Sequence, residues 1–133
     1  MSHVTALLAL IVSTAIAPHP HHFEKLATTY FETFNKHDVP ALRAMWADNG
    51  SLRDWEVEKT GADQIAKFLS AGFSAFPQIR IDVMRMHVSN QTHTAVCEIL
   101  VYLNNAKNDV LKVVDVISFD RAGKLSALRA YKG

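Results

Sequence analysis

The residue with the clearest chemical meaning is Asp115, a single carboxylic acid inside an apolar stretch. Residues 111–119 have the β-branched, apolar composition of a buried strand. Because side chains alternate along a strand, Asp115 shares a face with Val113, Ile117 and Phe119. An ionised carboxylate there is costly, so the group should be paired, or protonated with a raised pKa. It is either a functional acid or a structural aspartate bonded to the backbone or to an arginine.

Two further polar residues occupy positions where chemistry is possible. Tyr30 lies on an apolar helical stripe with Phe31 and Phe34. On this pattern alone, a core tyrosine with a satisfied hydroxyl is as good an interpretation as a hydrogen-bond donor. Asp54 lies near the end of a short predicted strand, where an aspartate can also organise a turn.

The sequence gives little support for metal or thiol chemistry. His37, His87 and His93 are predicted at the surface or at strand edges, with no spacing typical of a catalytic metal site. The single cysteine, Cys97, excludes an internal disulfide. It lies in the apolar run 95–103, which predicts a small buried hydrophobe rather than a reactive thiol. We therefore predict no metal ligands.

Length and composition are typical of one ordinary globular domain. The chain has 133 residues, of which 49% are apolar and 20% charged, with a formal net charge of +1. A basic run that would suggest nucleic acid is absent from the sequence, as is an acidic tail. We therefore expect neither a nucleic-acid partner nor a membrane span.

The first 17 residues differ from the rest of the chain. Residues 6–17 are apolar, residues 15–17 fit a small-x-small cleavage site, and Pro18 follows. The stretch is too short to span a membrane, and no Lys or Arg precedes it. Residues 1–17 are thus a signal peptide or an N-terminal helical extension, and residues 18–133 form the domain. Cleavage would place the protein outside the cytoplasm, in a secreted or periplasmic location; otherwise it is expected to be cytoplasmic.

Apolar spacing defines the elements that must position these residues. It predicts a first helix from Phe23 to about Lys36. A second helix is predicted after a cap at Asp38, with Trp46 on its inner face. A third helix should start at Thr60 or Gly61 and end at Pro77. A turn is predicted at residues 48–50 and a short strand at 51–54. Four strands then follow with short polar connections, at about 79–89, 94–103, 110–119 and 124–132.

Helices first and an antiparallel sheet afterwards indicate an α+β domain. One strongly bent sheet would wrap around the helices and enclose a pocket against its concave face. Such a pocket is a usual place for a small apolar ligand.

This order of elements and three segments resemble the nuclear transport factor 2-like (NTF2-like) superfamily, and within it the bacterial ketosteroid isomerases. Residues 113–131 are similar to the isomerases' final hairpin, which has an aspartate inside an apolar strand, a Phe-Asp-x-x-Gly turn and a terminal Ala-Tyr. Residues 46–54 are similar to the segment that leads to their catalytic base, and Tyr30 stands at the family's tyrosine. The likeness spans about residues 18–133. It implies a cone-shaped fold, with a strongly curved, mostly antiparallel sheet around three N-terminal helices.

The resemblance implies a reaction and assigns roles to three residues. Tyr30 and a protonated Asp115 would form an oxyanion hole, and Asp54 would be the general base. The enzyme would shift a double bond of a 3-oxo-Δ5 steroid, or of a related enone, through a dienolate. Such chemistry needs no cofactor, and its substrate is a small hydrophobic ketone. The resemblance also implies a homodimer.

The sequence departs from the isomerase pattern around the site. Trp55 replaces the usual Pro after the base, and Lys132 follows Tyr131 where a Trp is common. Trp46 and Leu69 stand where some members have further tyrosines. Trp46, Leu69 and Lys132 are therefore the predicted substrate contacts, and an inward Lys132 could pair with Asp54 and lower its reactivity. Two alternatives remain open: a SnoaL-like cyclase or isomerase of another polycyclic ketone, and a non-catalytic dimeric module that binds small hydrophobic ligands.

Overall fold

The computed structural model describes residues 21–133 as a curved six-stranded sheet packed on three helices. The predicted leader, residues 1–17, lies outside this part of the chain. The helices are α1 (His22–Asn35), α2 (Val39–Met45) and α3 (Ala62–Ala75). The strands are β1 (Trp46–Arg53), β2 (Glu58–Thr60), β3 (Arg80–Ser89), β4 (Thr94–Tyr102), β5 (Val110–Phe119) and β6 (Leu125–Lys132). The predicted α+β class is confirmed.

Apolar spacing, a capping side chain and a proline account for the positions of the three helices. Helix α1 buries one stripe, as its 3.6-residue spacing predicts, consisting of Phe23, Ala27, Tyr30, Phe31 and Phe34. Asp38 caps α2 by accepting a hydrogen bond from the Ala41 amide at 3.1 Å. Helix α3 starts after Gly61 and stops at Phe76, directly before Pro77.

The sheet has the strand order β2-β1-β6-β5-β4-β3. The last four strands form the predicted antiparallel meander. The pairing of β1 with β6 is parallel, whereas the short β2 pairs antiparallel with β1. Neither of these pairings was predicted.

The turn predicted at residues 48–50 was wrong, because the chain there belongs to β1. Gly50 is explained by close packing: a Cβ at this position would lie 2.8 Å from Cε3 of Trp46. The register between β1 and β6 also shifts between Trp46 and Ser51. Trp46 itself begins β1 instead of extending α2.

The core lies between the inner face of the sheet and the buried faces of α1 and α3. On β5 the inward residues are Val113, Asp115, Ile117 and Phe119, as the alternation predicts. Asp115 is the buried polar residue of this core, within residues 21–133. In the same part of the chain, no helix is both long and apolar enough to cross a membrane.

Candidate active site

A cavity of about 270 Å³ lies between the sheet and helices α1 and α3. Most of its wall is hydrocarbon, supplied by Phe, Leu, Ile and Val side chains. Apart from the Trp55 indole at the rim, the polar side chains in the lining are those of Tyr30, Asp54 and Asp115. The structure therefore brings the three predicted catalytic residues to one cavity.

Asp115 is buried on the inner face of β5, with a relative exposure of 6%. Its cross-strand partners are Cys97 on β4 and Ala130 on β6, neither of which carries a charge that could pair with it. Its carboxyl makes no hydrogen bond to any residue in the described part of the chain, 21–133. Burial alone raises the pKa of Asp115 from 3.8 to about 7. The group is therefore largely a neutral acid below neutral pH, with its proton available to a ligand.

Tyr30 is presented by α1 and is 2% exposed. Burial raises the pKa of Tyr30 well above its usual value, and the nearby charge of Asp115 raises it further. The Trp46 indole opposes this rise; its ring meets the Tyr30 ring edge-on, with centroids 6.3 Å apart. The indole N–H is oriented toward Tyr30 but does not reach full hydrogen-bond geometry, so it stays unsatisfied within residues 21–133. Tyr30 is thus a protonated phenol, whose O–H can donate to a ligand carbonyl oxygen.

Asp54 lies in the turn that follows β1. Its Oδ1 accepts hydrogen bonds from the amides of Glu56 at 2.7 Å and Val57 at 2.8 Å. The Asp54 amide donates to the Val57 carbonyl at 3.0 Å. Its second carboxyl oxygen has no hydrogen bond within the described residues. One oxygen of Asp54 therefore organises a turn, and the residue also lines the cavity.

The three predicted substrate contacts lie in different places. Leu69 of α3 lines the cavity. Trp46 is 2% exposed and packs against Tyr30, outside the cavity lining. Lys132 is exposed, and its Nζ lies 5.2 Å from the centre of the Trp55 ring instead of pairing with Asp54. Within residues 21–133, Lys132 and Asp54 therefore form no ion pair.

Among the lining residues that were not predicted as site residues, Trp55 and Gly72 are the most informative. Trp55 was noted only as a replacement for proline, yet it lines the cavity while 41% exposed. Gly72 was predicted on the buried face of α3, and it lines the cavity as well. The helical spacing of Gly72 with Leu69 and Phe76 was the available signal.

The three histidines considered above and Cys97 lie outside this cavity. His37 is half-buried, stacks on Phe73 at 4.2 Å and bonds through Nε2 to the Ile79 carbonyl at 2.7 Å. His87 pairs with Glu98 at 2.8 Å on the exposed surface. Across residues 21–133, no three His, Cys, Asp or Glu side chains are arranged to hold a metal ion.

Cys97 is a fully buried core residue, as predicted. Burial, with a smaller contribution from the charge of Asp115, raises the pKa of the Cys97 thiol to about 12. A thiol that stays protonated in this way is a poor nucleophile.

The fold and cavity define an α+β domain with an acid-lined apolar pocket, and sequence comparison gives the family. The profile of the SnoaL-like domain matches residues 27–128. The chain therefore belongs to the SnoaL-like family. Among curated proteins, no sequence matches it.

Solved structures with the same fold have low sequence identity to the chain. A cystatin-like-fold protein of unknown function from Methylobium petroleophilum PM1 has a TM-score of 0.78 and 20% identity, covering 88% of this chain and 79% of that one. The epoxide hydrolase/cyclase-like enzyme SalBIII, described in pyran ring formation in the polyether salinomycin, has a TM-score of 0.71 and 15% identity, covering 84% and 90%. A candidate isomerase of the SnoaL-like family from Agrobacterium tumefaciens has a TM-score of 0.70 and 19% identity, covering 84% and 97%. An NTF2-like protein of unknown function from Cytophaga hutchinsonii ATCC 33406 shares the fold as well, with a TM-score of 0.71 and 11% identity, covering 84% and 89%. The predicted NTF2-like fold, a curved sheet around three helices, is thus confirmed.

Proposed function

We propose that the chain is an acid–base enzyme that moves a double bond in a cyclic ketone by proton transfer through a dienolate. The observation that carries the proposal is the buried Asp115 without a hydrogen bond from residues 21–133, facing the same apolar cavity as Tyr30 and Asp54. Structural aspartates in a core have partners, so an unpaired one on a cavity wall is a candidate functional group.

Each residue has a role that its surroundings suit. The free carboxyl oxygen of Asp54 takes a proton from the carbon next to the carbonyl, and the electron pair moves onto the carbonyl oxygen. Tyr30 and protonated Asp115 donate hydrogen bonds to that oxygen as its negative charge grows. Asp54 then returns the same proton to the far carbon of the dienolate, which gives the conjugated ketone and restores the enzyme.

The surroundings favour the charged transition state over the neutral substrate. The two donors are fixed by a helix and by the centre of a sheet, and the rest of the wall is hydrocarbon. Hydrogen bonds to a developing charge are stronger in such a site than in water, since the donors need no reorganisation. Above its pKa of about 7, Asp115 loses its proton and can no longer donate a hydrogen bond. Turnover should therefore fall as the pH rises above neutrality.

A 3-oxo-Δ5 steroid is the first substrate to test. Purified protein is mixed with 5-androstene-3,17-dione, and the conjugated product is followed by its ultraviolet absorbance. Asp54→Asn is the decisive variant, since the amide oxygen of Asn can still accept the Glu56 and Val57 hydrogen bonds that hold the turn. Turnover should fall by about 10²-fold or more in this variant while the fold is kept. An Asp54→Asn variant as active as the parent would remove the proposal.

A second candidate is the same proton transfer on another polycyclic ketone, as in the SnoaL-like cyclases. It is favoured by the cavity wall, which offers no hydrogen-bonding side chain beyond Tyr30, Asp54, Asp115 and the rim Trp55. This wall suits a ligand with one carbonyl and a hydrocarbon body, whereas the dione carries a second carbonyl. Turnover of such ketones without turnover of the dione would favour this candidate.

Two expectations remain predictions. The first is the homodimer that the resemblance implies, which sedimentation equilibrium of the purified chain tests. The second is the non-catalytic ligand-binding module. Ketone binding by titration without any isomerisation would favour it over both enzymes.

A further inference from the structure

Gly72 lies within α3, one turn before its end, where its carbonyl accepts the Phe76 amide at 2.9 Å. Its backbone is helical, so no left-handed conformation requires glycine here. Glycine is the least favourable helix residue after proline. A helix built only for stability would therefore have another residue at this position.

Packing within the protein does not require glycine at position 72 either. A Cβ built on Gly72 meets no atom within 4 Å. The other glycines inside the fold have local reasons. Gly50 packs against Trp46, while Gly61 and Gly123 have φ angles of +93° and +79°. Gly72 thus leaves open space that neither the backbone nor its neighbours need.

The open space belongs to the cavity. Gly72 lines it together with its helical neighbours Phe68, Leu69, Phe73 and Phe76, which are all large. The absence of a side chain therefore makes a notch in an otherwise bulky wall. Here we define the Gly72 notch as this gap on the cavity side of α3.

We propose that the Gly72 notch is a specificity-determining subsite that admits the hydrocarbon body of a ligand with more than one ring. This inference rests on the proposed function only in that the cavity binds a cyclic ketone. A fused ring system is wide and rigid, and it fits against a helix backbone where a Cβ would otherwise stand. A single-ring ketone held at Tyr30 and Asp115 fills less of the cavity and does not depend on the notch.

The test uses three variants of the full chain. Gly72→Ala adds one methyl group to the notch, and Gly72→Leu fills it. The matched control is Ser70→Ala on the exposed side of the same helix, which also raises helix propensity but leaves the cavity unchanged. Gly72→Ala and Ser70→Ala should each raise Tm by a few degrees, about 2–5 °C for the glycine change.

Binding is measured by quenching of the fluorescence of Trp55, which lines the cavity, and turnover by enone absorbance. The probes are three β,γ-unsaturated ketones of increasing size: 3-cyclohexen-1-one, a bicyclic octalone and 5-androsten-3-one. Gly72→Ala should lower the affinity for the largest probe that the parent binds. The expected loss is about 10-fold, which is typical of a change of one methyl-sized group in an apolar pocket. Gly72→Leu should abolish binding of that probe. The affinity for the single-ring ketone should stay within about 2-fold in both variants.

The outcomes separate this inference from the reaction. If the parent binds the larger ketones without converting them and Gly72→Ala still weakens binding, the notch stands and the isomerase proposal falls. If Gly72→Ala converts and binds every probe as the parent does, the notch is refuted and the reaction stands. If the parent binds none of the probes, both are refuted. Equal weakening of all probes would also overturn the notch, since it would reflect general damage to the cavity.

Discussion

Replacing Asp115 by Asn should remove a distinctive pH dependence of stability. The unfolded chain has the ordinary pKa of 3.8 at this residue, and burial raises the pKa of folded Asp115 to about 7. Between these values the folded state holds a proton that the unfolded state lacks, so stability falls as the pH rises. At about 1.4 kcal/mol per pKa unit, the penalty reaches about 4 kcal/mol above neutrality. This is a large fraction of the 5–15 kcal/mol typical of a domain.

The assay is urea denaturation of the parent, Asp115→Asn and Asp115→Leu at several pH values from about 4 to about 8.5. Neither replacement titrates, so the parent should lose up to about 4 kcal/mol relative to the variants across this range. Ionisable groups far from residue 115 affect all three proteins alike and cancel in the difference. Parallel stability curves for parent and variants would refute the buried, unpaired state of Asp115.

Two further predictions concern Tyr30 and Gly123. Tyr30→Phe should lower kcat by about 10²–10³-fold with a nearly unchanged urea midpoint, because the ring packing is kept while one donor to the developing charge is lost; an unchanged kcat would contradict the role of the hydroxyl. Gly123→Ala should lower the free energy of unfolding by about 1 kcal/mol, because Gly123 has φ +79° and an added Cβ would lie 3.4 Å from Cδ1 of Leu26. An unchanged midpoint in urea denaturation would show that this turn adopts another conformation at no cost.

The meander could be predicted from the sequence because its signals are local. Strands β4 and β5 alternate inward and outward side chains, and short polar loops join the four strands of the meander. The pairing of β1 with β6 is parallel and joins distant parts of the chain, so no local pattern reports it. Strand β2 is three residues long with mostly exposed side chains, and it carries no periodic signal.

The same distinction between local signals and tertiary contacts applies to the residues of the site. The burial of Asp115 follows from alternation within one strand, so its raised pKa was predictable. The direction of Lys132 was not, because a flexible side chain at a strand end is placed by its neighbour Trp55 and not by its own position. Helical spacing predicted Trp46 on α2, but it is the first residue of β1 and its ring lies where a Cβ on Gly50 would stand. Such contacts depend on the tertiary fold.

Three exceptions to ordinary folding rules in the core lie close together. Asp115 is a buried carboxyl without a partner in the described chain, Trp46 has a buried N–H without a full hydrogen bond there, and Gly72 weakens a helix beside empty space. Each of these three features lowers the stability of the fold, and a single substitution at that position would remove it. All three lie at the cavity or directly behind Tyr30, while the rest of the core is regular. Departures that cluster in this way are typical of a functional site, where stability is lost in exchange for activity.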